Sequence, residues 1–358
     1  MTALLPHRLD LSRDVVSLTC DLVDIPSESR HEAPLADAVA AALTQQSHLT
    51  VDRDGDTVVA RTHQGRNDRV LIGGHLDTVP SSGNLPHALT GGYVHGLGSC
   101  DMKGGVAVAL RLAAELADPN RDITYVFYEC EEIDAEFNGL ARLAQTHPDW
   151  LAADFAILME PSNADVEAGC QGTLRAEIRT TGTRAHSARS WMGRNAVHQA
   201  REILERLDRY EPRQIDVAGL TYREGLNAVG IRGGIAGNVI PDECVVTVNY
   251  RFAPNRSPDD AVAHVRQTFA GFEVTVVDLA PGALPGLELP AAQEFIAAVG
   301  GEPRPKFGWT DVARFAELGV PAVNFGPGDP ALAHAADERV PVADLVRCEA
   351  ALRQWLTG

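Results

Sequence analysis

No stretch of the 358-residue chain approaches the roughly 18 consecutive apolar residues of a membrane-spanning helix. The opening segment, residues 1–14, has neither an uninterrupted apolar run nor a small-residue cleavage site, so nothing in it reads as a leader, and the cytoplasm is the expected location. Cysteine pairs are missing too. The six cysteines, Cys20, Cys100, Cys130, Cys170, Cys244 and Cys348, are scattered without a Cys-x-x-Cys, which argues against a disulfide framework and a structural zinc ribbon and for reduced, buried thiols. Positive charge is in deficit: 31 Lys and Arg stand against 49 Asp and Glu, a formal net charge of −18. Surfaces that hold phosphates need the opposite sign, so neither nucleic acid nor an anionic membrane is an expected partner. There is no internal repeat and no low-complexity tract. What remains is ordinary globular usage, 45% hydrophobic and 22% charged with 32 Gly and 21 Pro, in a chain long enough for two domains.

The first half alternates β-rich runs with helical stretches, the pattern of an α/β sheet covered by helices. The spacing predicts helices over 34–45 and 105–116 and strands over 69–72, 123–128 and 155–159. From about Leu174 the order becomes strand 174–180, helix 195–210, strands 228–235 and 243–251, helix 257–269 and strand 272–279. That is β-α-β-β-α-β, a ferredoxin-like unit inserted into the first domain. After a Pro/Gly-rich link, 280–290, a strand at 322–325 and a closing helix at 342–356 return to the α/β pattern. The expected architecture is an α/β catalytic domain with a mixed sheet, made of residues 1–172 and 284–358, carrying an inserted ferredoxin-like domain over 173–283.

Ligands of open α/β sheets gather at the carboxyl ends of strands, and each predicted strand of the first domain ends in His, Asp or Glu. Gly73-Gly74-His75-Leu76-Asp77 puts an imidazole and a carboxylate two residues apart, so that Asp77 can orient His75 as a ligand. Asp101 precedes a glycine-rich helix start, which is also where an ordinary helix N-cap stands. Glu131 and Glu132 follow a strand expected to be buried, where adjacent carboxylates need a cation or a proton unless they sit on a surface loop. Glu160 ends another strand, and His334 lies in a loop beyond the last. Each has a mundane reading by itself; the conjunction does not. Two imidazoles and three carboxylates, His75, Asp101, Glu132, Glu160 and His334, form a mixed N/O donor set that suits zinc, cobalt or manganese. If Asp101 bridges, each of two metals receives one His, one terminal carboxylate and the shared one.

These clusters, in this order and around an insertion, resemble the M20 family of dinuclear zinc amidohydrolases and peptidases. The motifs are Gly-His-Leu-Asp-Thr-Val-Pro, Asp-Met-Lys-Gly-Gly, Glu-Glu, Met-Glu-Pro-Ser and a late His. The resemblance implies two Zn2+ per subunit, replaceable by Co2+ or Mn2+. One would be held by His75, Asp101 and Glu160 and the other by Asp101, Glu132 and His334. It implies that Glu131 is the general base that activates a water for attack on an amide, with Asp77 beside His75. It further implies that His186, in Thr183-Arg184-Ala185-His186, reaches the active site of the other subunit of a homodimer paired through the inserted lid domain.

Gly237-Asn238-Val239-Ile240-Pro241, Asn249-Tyr250-Arg251 and Trp309-Thr310-Asp311-Val312-Ala313-Arg314 look most like the actinobacterial-type branch that removes succinyl from N-succinyl-LL-2,6-diaminopimelate. By that likeness Arg251 and Arg314 pair with substrate carboxylate, and Asn238 and Thr310 add neutral hydrogen bonds. The chain departs from the family pattern in three places. Ile133 stands where a glycine often follows the Glu pair, Cys170-Gln171 where some relatives carry an arginine, and no asparagine lies between Gly326 and His334. Other members of the family, such as acetylornithine deacetylases, dipeptidases and carboxypeptidases, use the same metals with a different pocket. A binding protein on a degenerate hydrolase fold would be expected to lack ligands or base, and this chain has them.

Overall fold

The computed structural model of the chain describes residues 8–358; the first seven residues of the opening segment read above lie outside the described residues. Two compact units make up the fold. One comprises the described residues through Ala168 together with Gly286–Arg304 and Arg314–Gly358, and the other Gly169–Pro285 with Pro305–Ala313. Residues 305–313 therefore depart from the expected boundary. They go with the second unit because its backbone holds them: Gln171 N donates to Lys306 O (3.3 Å) and Trp309 Nε1 to Pro281 O (3.0 Å).

The first unit is built on an eight-stranded mixed sheet in the order Thr50–Asp54, Thr57–Arg61, Asp122–Tyr128, Arg69–His75, Phe155–Leu158, Ala322–Asn324, Glu167–Ala168 and Arg304–Pro305. The four central strands run parallel, and the outer hairpin Thr50–Asp54/Thr57–Arg61 joins antiparallel. Continuous apolar runs explain the centre: every residue of Asp122–Tyr128 and Phe155–Leu158 is buried, as parallel strands covered on both faces must be. Helix Ala33–Thr44 buries Leu35, Val39, Ala42 and Leu43 at helical spacing, and Gly104–Glu115 is buried along most of its length between helices Val15–Val23 and Val342–Thr357 and the sheet. Glycine permits that fit at one critical point. A Cβ on Gly105 would collide with the backbone of Met159, the residue before Glu160.

The second unit has the expected order: strand Gly172–Thr181, helix Ala196–Asp208, strands Gly225–Gly233 and Glu243–Phe252, helix Pro258–Thr268 and strand Glu273–Ala280. Its four strands are all antiparallel, arranged as Gly225–Gly233, Glu243–Phe252, Gly172–Thr181, Glu273–Ala280, with both helices packed on the sheet around Leu174, Ile178, Ile203, Val246, Val248 and Phe269. Asn195 and Ser257 cap the two helices through their side-chain oxygens, which explains why the helices start there. Two small pairs were not legible in the pattern, the hairpin Gln214–Val217/Leu220–Arg223 and the bridge of Ala185–His186 to Val239–Ile240. All six cysteines are free and buried. Among the described residues no helix is long and apolar enough to cross a membrane.

Candidate metal centre

Because the central strands are parallel, their carboxyl ends share one side of the sheet, and His75, Glu131, Glu132 and Glu160 are delivered there. Strand Arg69–His75 runs three residues further than its apolar pattern predicted, and Asp77 lies beyond its end. The pairing expected of His75 and Asp77 is therefore made just past the end of the strand, where Leu76 N still donates to Tyr128 O (2.7 Å). His75 Nδ1 donates to the backbone oxygen of Asp77 (3.0 Å) with the Asp77 carboxylate at 3.5 Å, which turns Nε2 toward Asp101.

Asp101 sits between the two imidazoles. Its Oδ1 is 3.2 Å from His75 Nε2 and its Oδ2 is 3.6 Å from His334 Nε2, while His334 Nε2 lies 2.9 Å from Glu132 Oε2. Donor atoms of His75, Asp101 and Glu160 lie within 4.8 Å of one another, and so do those of Asp101, Glu132 and His334; a third such group joins Glu131 to His75 and Glu132. Burial by itself would lower the His75 imidazole, but hydrogen bonds to Asp101 and Asp77 outweigh it and hold its pKa well above the ordinary value. The hydrogen bond to Glu132 raises His334 to about 9 despite partial burial, whereas burial raises Glu132 itself. Carboxylates packed this closely need compensating positive charge, and two imidazole nitrogens aimed at opposite oxygens of one carboxylate suit two divalent cations of intermediate softness. The donor set fits.

Backbone geometry at the centre is held by Asp77, expected from the sequence as the partner of His75, and by two buried acids that the sequence did not single out, Glu32 and Glu338. Asp77 accepts from the amides of Glu131 (2.9 Å) and Glu132 (3.0 Å) and from Ser29 Oγ (2.7 Å). Glu32, at the start of its helix, accepts from the amide of Cys130 (3.1 Å), a residue in the left-handed region at φ 57°. Glu338 accepts from the amides of Gly98, Cys100 and Asp101 at 2.9–3.0 Å. Lys103 is fully buried and donates to Ile25 O (2.7 Å); burial lowers its amine to about 7 against the charges of Glu338 and Asp24. Glu338 had a sequence signal, an acid four residues past His334, but not a meaning, because its partners are 237 to 240 positions away.

The remaining expected residues are divided between the units: His186, Asn238, Arg251 and Thr310 belong to the second, Arg314 to the first. His186 and Asn238 come together, since Ser187 N donates to Asn238 O (2.9 Å) and His186 pairs with Val239. The exposed His186 ring accepts the Ala188 amide at Nδ1 (3.1 Å), which leaves the proton of the neutral ring on Nε2. Arg251 is half-buried and lowered by burial against the charge of Asp278; its Nε donates to Asn249 Oδ1 (3.1 Å), and among the described residues it makes no direct ion pair. Thr310 is buried, with its backbone oxygen 3.7 Å from Cys170 Sγ.

The profile of peptidase family M20/M25/M40 matches residues 71–357. A Mycobacterium tuberculosis protein assigned as succinyl-diaminopimelate desuccinylase DapE is 56% identical over 98% of this chain and 100% of its own length. The succinyl-diaminopimelate desuccinylase of Corynebacterium glutamicum is 46% identical with both chains covered in full. Among solved structures, an M20 family metallo-carboxypeptidase from Sulfolobus solfataricus superposes with a TM-score of 0.77 at 17% identity, covering 96% of this chain and 98% of its own.

Proposed function

The chain belongs to peptidase family M20/M25/M40, and from that premise we propose that it hydrolyses N-succinyl-LL-2,6-diaminopimelate to succinate and LL-2,6-diaminopimelate. The enzyme is a metal-dependent amidohydrolase of lysine and diaminopimelate biosynthesis, working in the cytoplasm. The observation that carries the reaction class is Asp101, whose two oxygens each face a different imidazole. Relatives matched end to end support the succinyl substrate, and so does Arg251, a half-buried cation left for a ligand carboxylate.

His75, Asp101 and Glu160 hold one metal and Asp101, Glu132 and His334 the other; zinc is the proposed ion, with cobalt or manganese able to replace it. When bound, the pair polarises the amide carbonyl and lowers the pKa of an attacking water. Glu131 takes the proton of that water as the oxygen bonds to the acyl carbon, and returns it to the amine nitrogen as the C–N bond breaks. Asp77 holds Glu131 for this task through its backbone amide. The His186 Nε2 proton is available to the carbonyl oxygen as negative charge grows there. Arg251 and Arg314 bind the substrate's carboxylate ends, with Asn238 and Thr310 as neutral partners.

His186 serves the neighbouring subunit of a homodimer formed through the second unit. An exposed edge strand supports that pairing: Gly225–Gly233 leaves Val229 60% and Ile231 56% accessible, and Trp191, in the short helix Ser187–Met192 that follows His186, is 79% accessible. The test is release of succinate from N-succinyl-LL-2,6-diaminopimelate by zinc-loaded protein, with N-acetylornithine and a simple dipeptide run in parallel. A kcat/KM favouring the succinyl compound supports the reading; turnover of another substrate alone removes the pocket assignment, and silence on all three removes the enzyme.

A further inference from the structure

Glu338 stands immediately before strand Arg339–Pro341, which pairs antiparallel with Tyr93–His95. That pairing sets it beside the turn 96–101. Its backbone oxygen accepts from Gly96 N (3.1 Å), and its carboxylate collects the amides of Gly98, Cys100 and Asp101. The side chain is only 2% accessible. Three amide donors on one buried carboxylate make a strong and directional clamp, since charge-assisted hydrogen bonds in a low dielectric are worth more than neutral ones.

The two ends of the clamp both matter. One holds the backbone that presents Asp101, and the other lies four residues after His334 in the same loop, closed by Glu338 N to Ala335 O (3.1 Å). His334 itself sits at φ 62°, a left-handed conformation a histidine keeps only where the surrounding structure imposes it. His75 and Glu160 are placed by the central strands and need no such tie. We propose that Glu338 is a positioning residue that fixes the spacing of Asp101 and His334 and thereby sets metal affinity in the half of the centre formed by Asp101, Glu132 and His334. The proposal rests on the two-metal reading above.

The experiment titrates metal-stripped protein with Zn2+ alone against a chromophoric chelator, resolving two uptake events, and records the Tm of each metal-free variant. For E338Q the weaker event, which depends on both Asp101 and His334, loses about 10- to 100-fold in affinity, the usual cost of removing a group that orients a ligand, and the tighter one, which shares only Asp101 with it, loses clearly less. E338D, which keeps the charge but draws it back by one methylene, loses the same event. E224Q is the control: Glu224 is an equally buried acid in the second unit, bonded to Arg213 and Arg256, and its loss should lower Tm while leaving both events alone. Two wild-type events in a folded E338Q, or two events that weaken together in step with Tm, would overturn the clamp. Should E338Q fail to fold, E338D is judged by those same outcomes. A wild-type chain with a single uptake event would instead overturn the two-metal reading from which the proposal starts.

Discussion

The two halves of the centre share one carboxylate and differ in almost everything else. On one side His75 is 1% accessible and Glu160 5%, and the imidazole is aligned by the oxygen of Asp77 and the edge of Tyr128. On the other side the His334 side chain is 52% accessible and reaches Glu132 from a loop rather than from a strand. A closed half loses less of its charge interaction to water than an open one and pays less to order its ligands. One shared carboxylate thus joins an enclosed set of donor atoms to a set open to solvent. In the proposed reaction the open half is the place for substrate to enter.

The largest expected effect separates binding from chemistry within that comparison. Glu131→Gln should leave both metal-uptake events intact and lower kcat by about 10²- to 10⁴-fold, measured as succinate release at saturating zinc. Turnover close to wild type would remove the proton shuttle and leave the two halves as binding sites only. Next comes the asymmetry itself. His75→Ala should abolish the tighter event and His334→Ala only the weaker, each read by calorimetric zinc titration; a tighter event that disappears with His334 would reverse the assignment of closed and open.

Arg251→Ala lies outside both halves and should spare both events. It should cost about 10- to 100-fold in kcat/KM on the succinyl substrate and little on an acetyl one, because only the former carries a carboxylate on its acyl group. An equal loss on both would make Arg251 structural. The smallest effect concerns protons. The His334 imidazole of the metal-free protein is raised to about 9 from an ordinary 6.5, so its pairing with Glu132 stabilises the fold fully below pH 6.5 and is lost as pH rises through 9. With a side chain half open to solvent, the Tm difference between metal-free wild type and His334→Ala should shrink by no more than about 2 °C across that window. A difference that grows with pH would contradict the sign.

Much of the fold was written in short-range pattern. The insertion was legible because its apolar spacing changes from strand to helix and back in ferredoxin-like order, and helix starts at Asn195 and Ser257 carry capping side chains. The small bridge of Ala185–His186 to Val239–Ile240 was not, since two-residue strands have no period to read. The boundary near Pro305 was missed for a related reason: nothing local in Pro305–Ala313 tells which backbone it will bond to.

The sequence by itself determined the identity of the candidate ligands, their chemistry as a mixed nitrogen and oxygen set, and their delivery to strand ends, because residue type and periodicity are local properties of the chain. Which half is closed, and which buried acids hold the turns around the expected shared carboxylate Asp101, came from tertiary contacts. Those are contacts between a side chain and backbone amides as far as 240 residues away, and they arise when strands that are distant in sequence pair in one sheet.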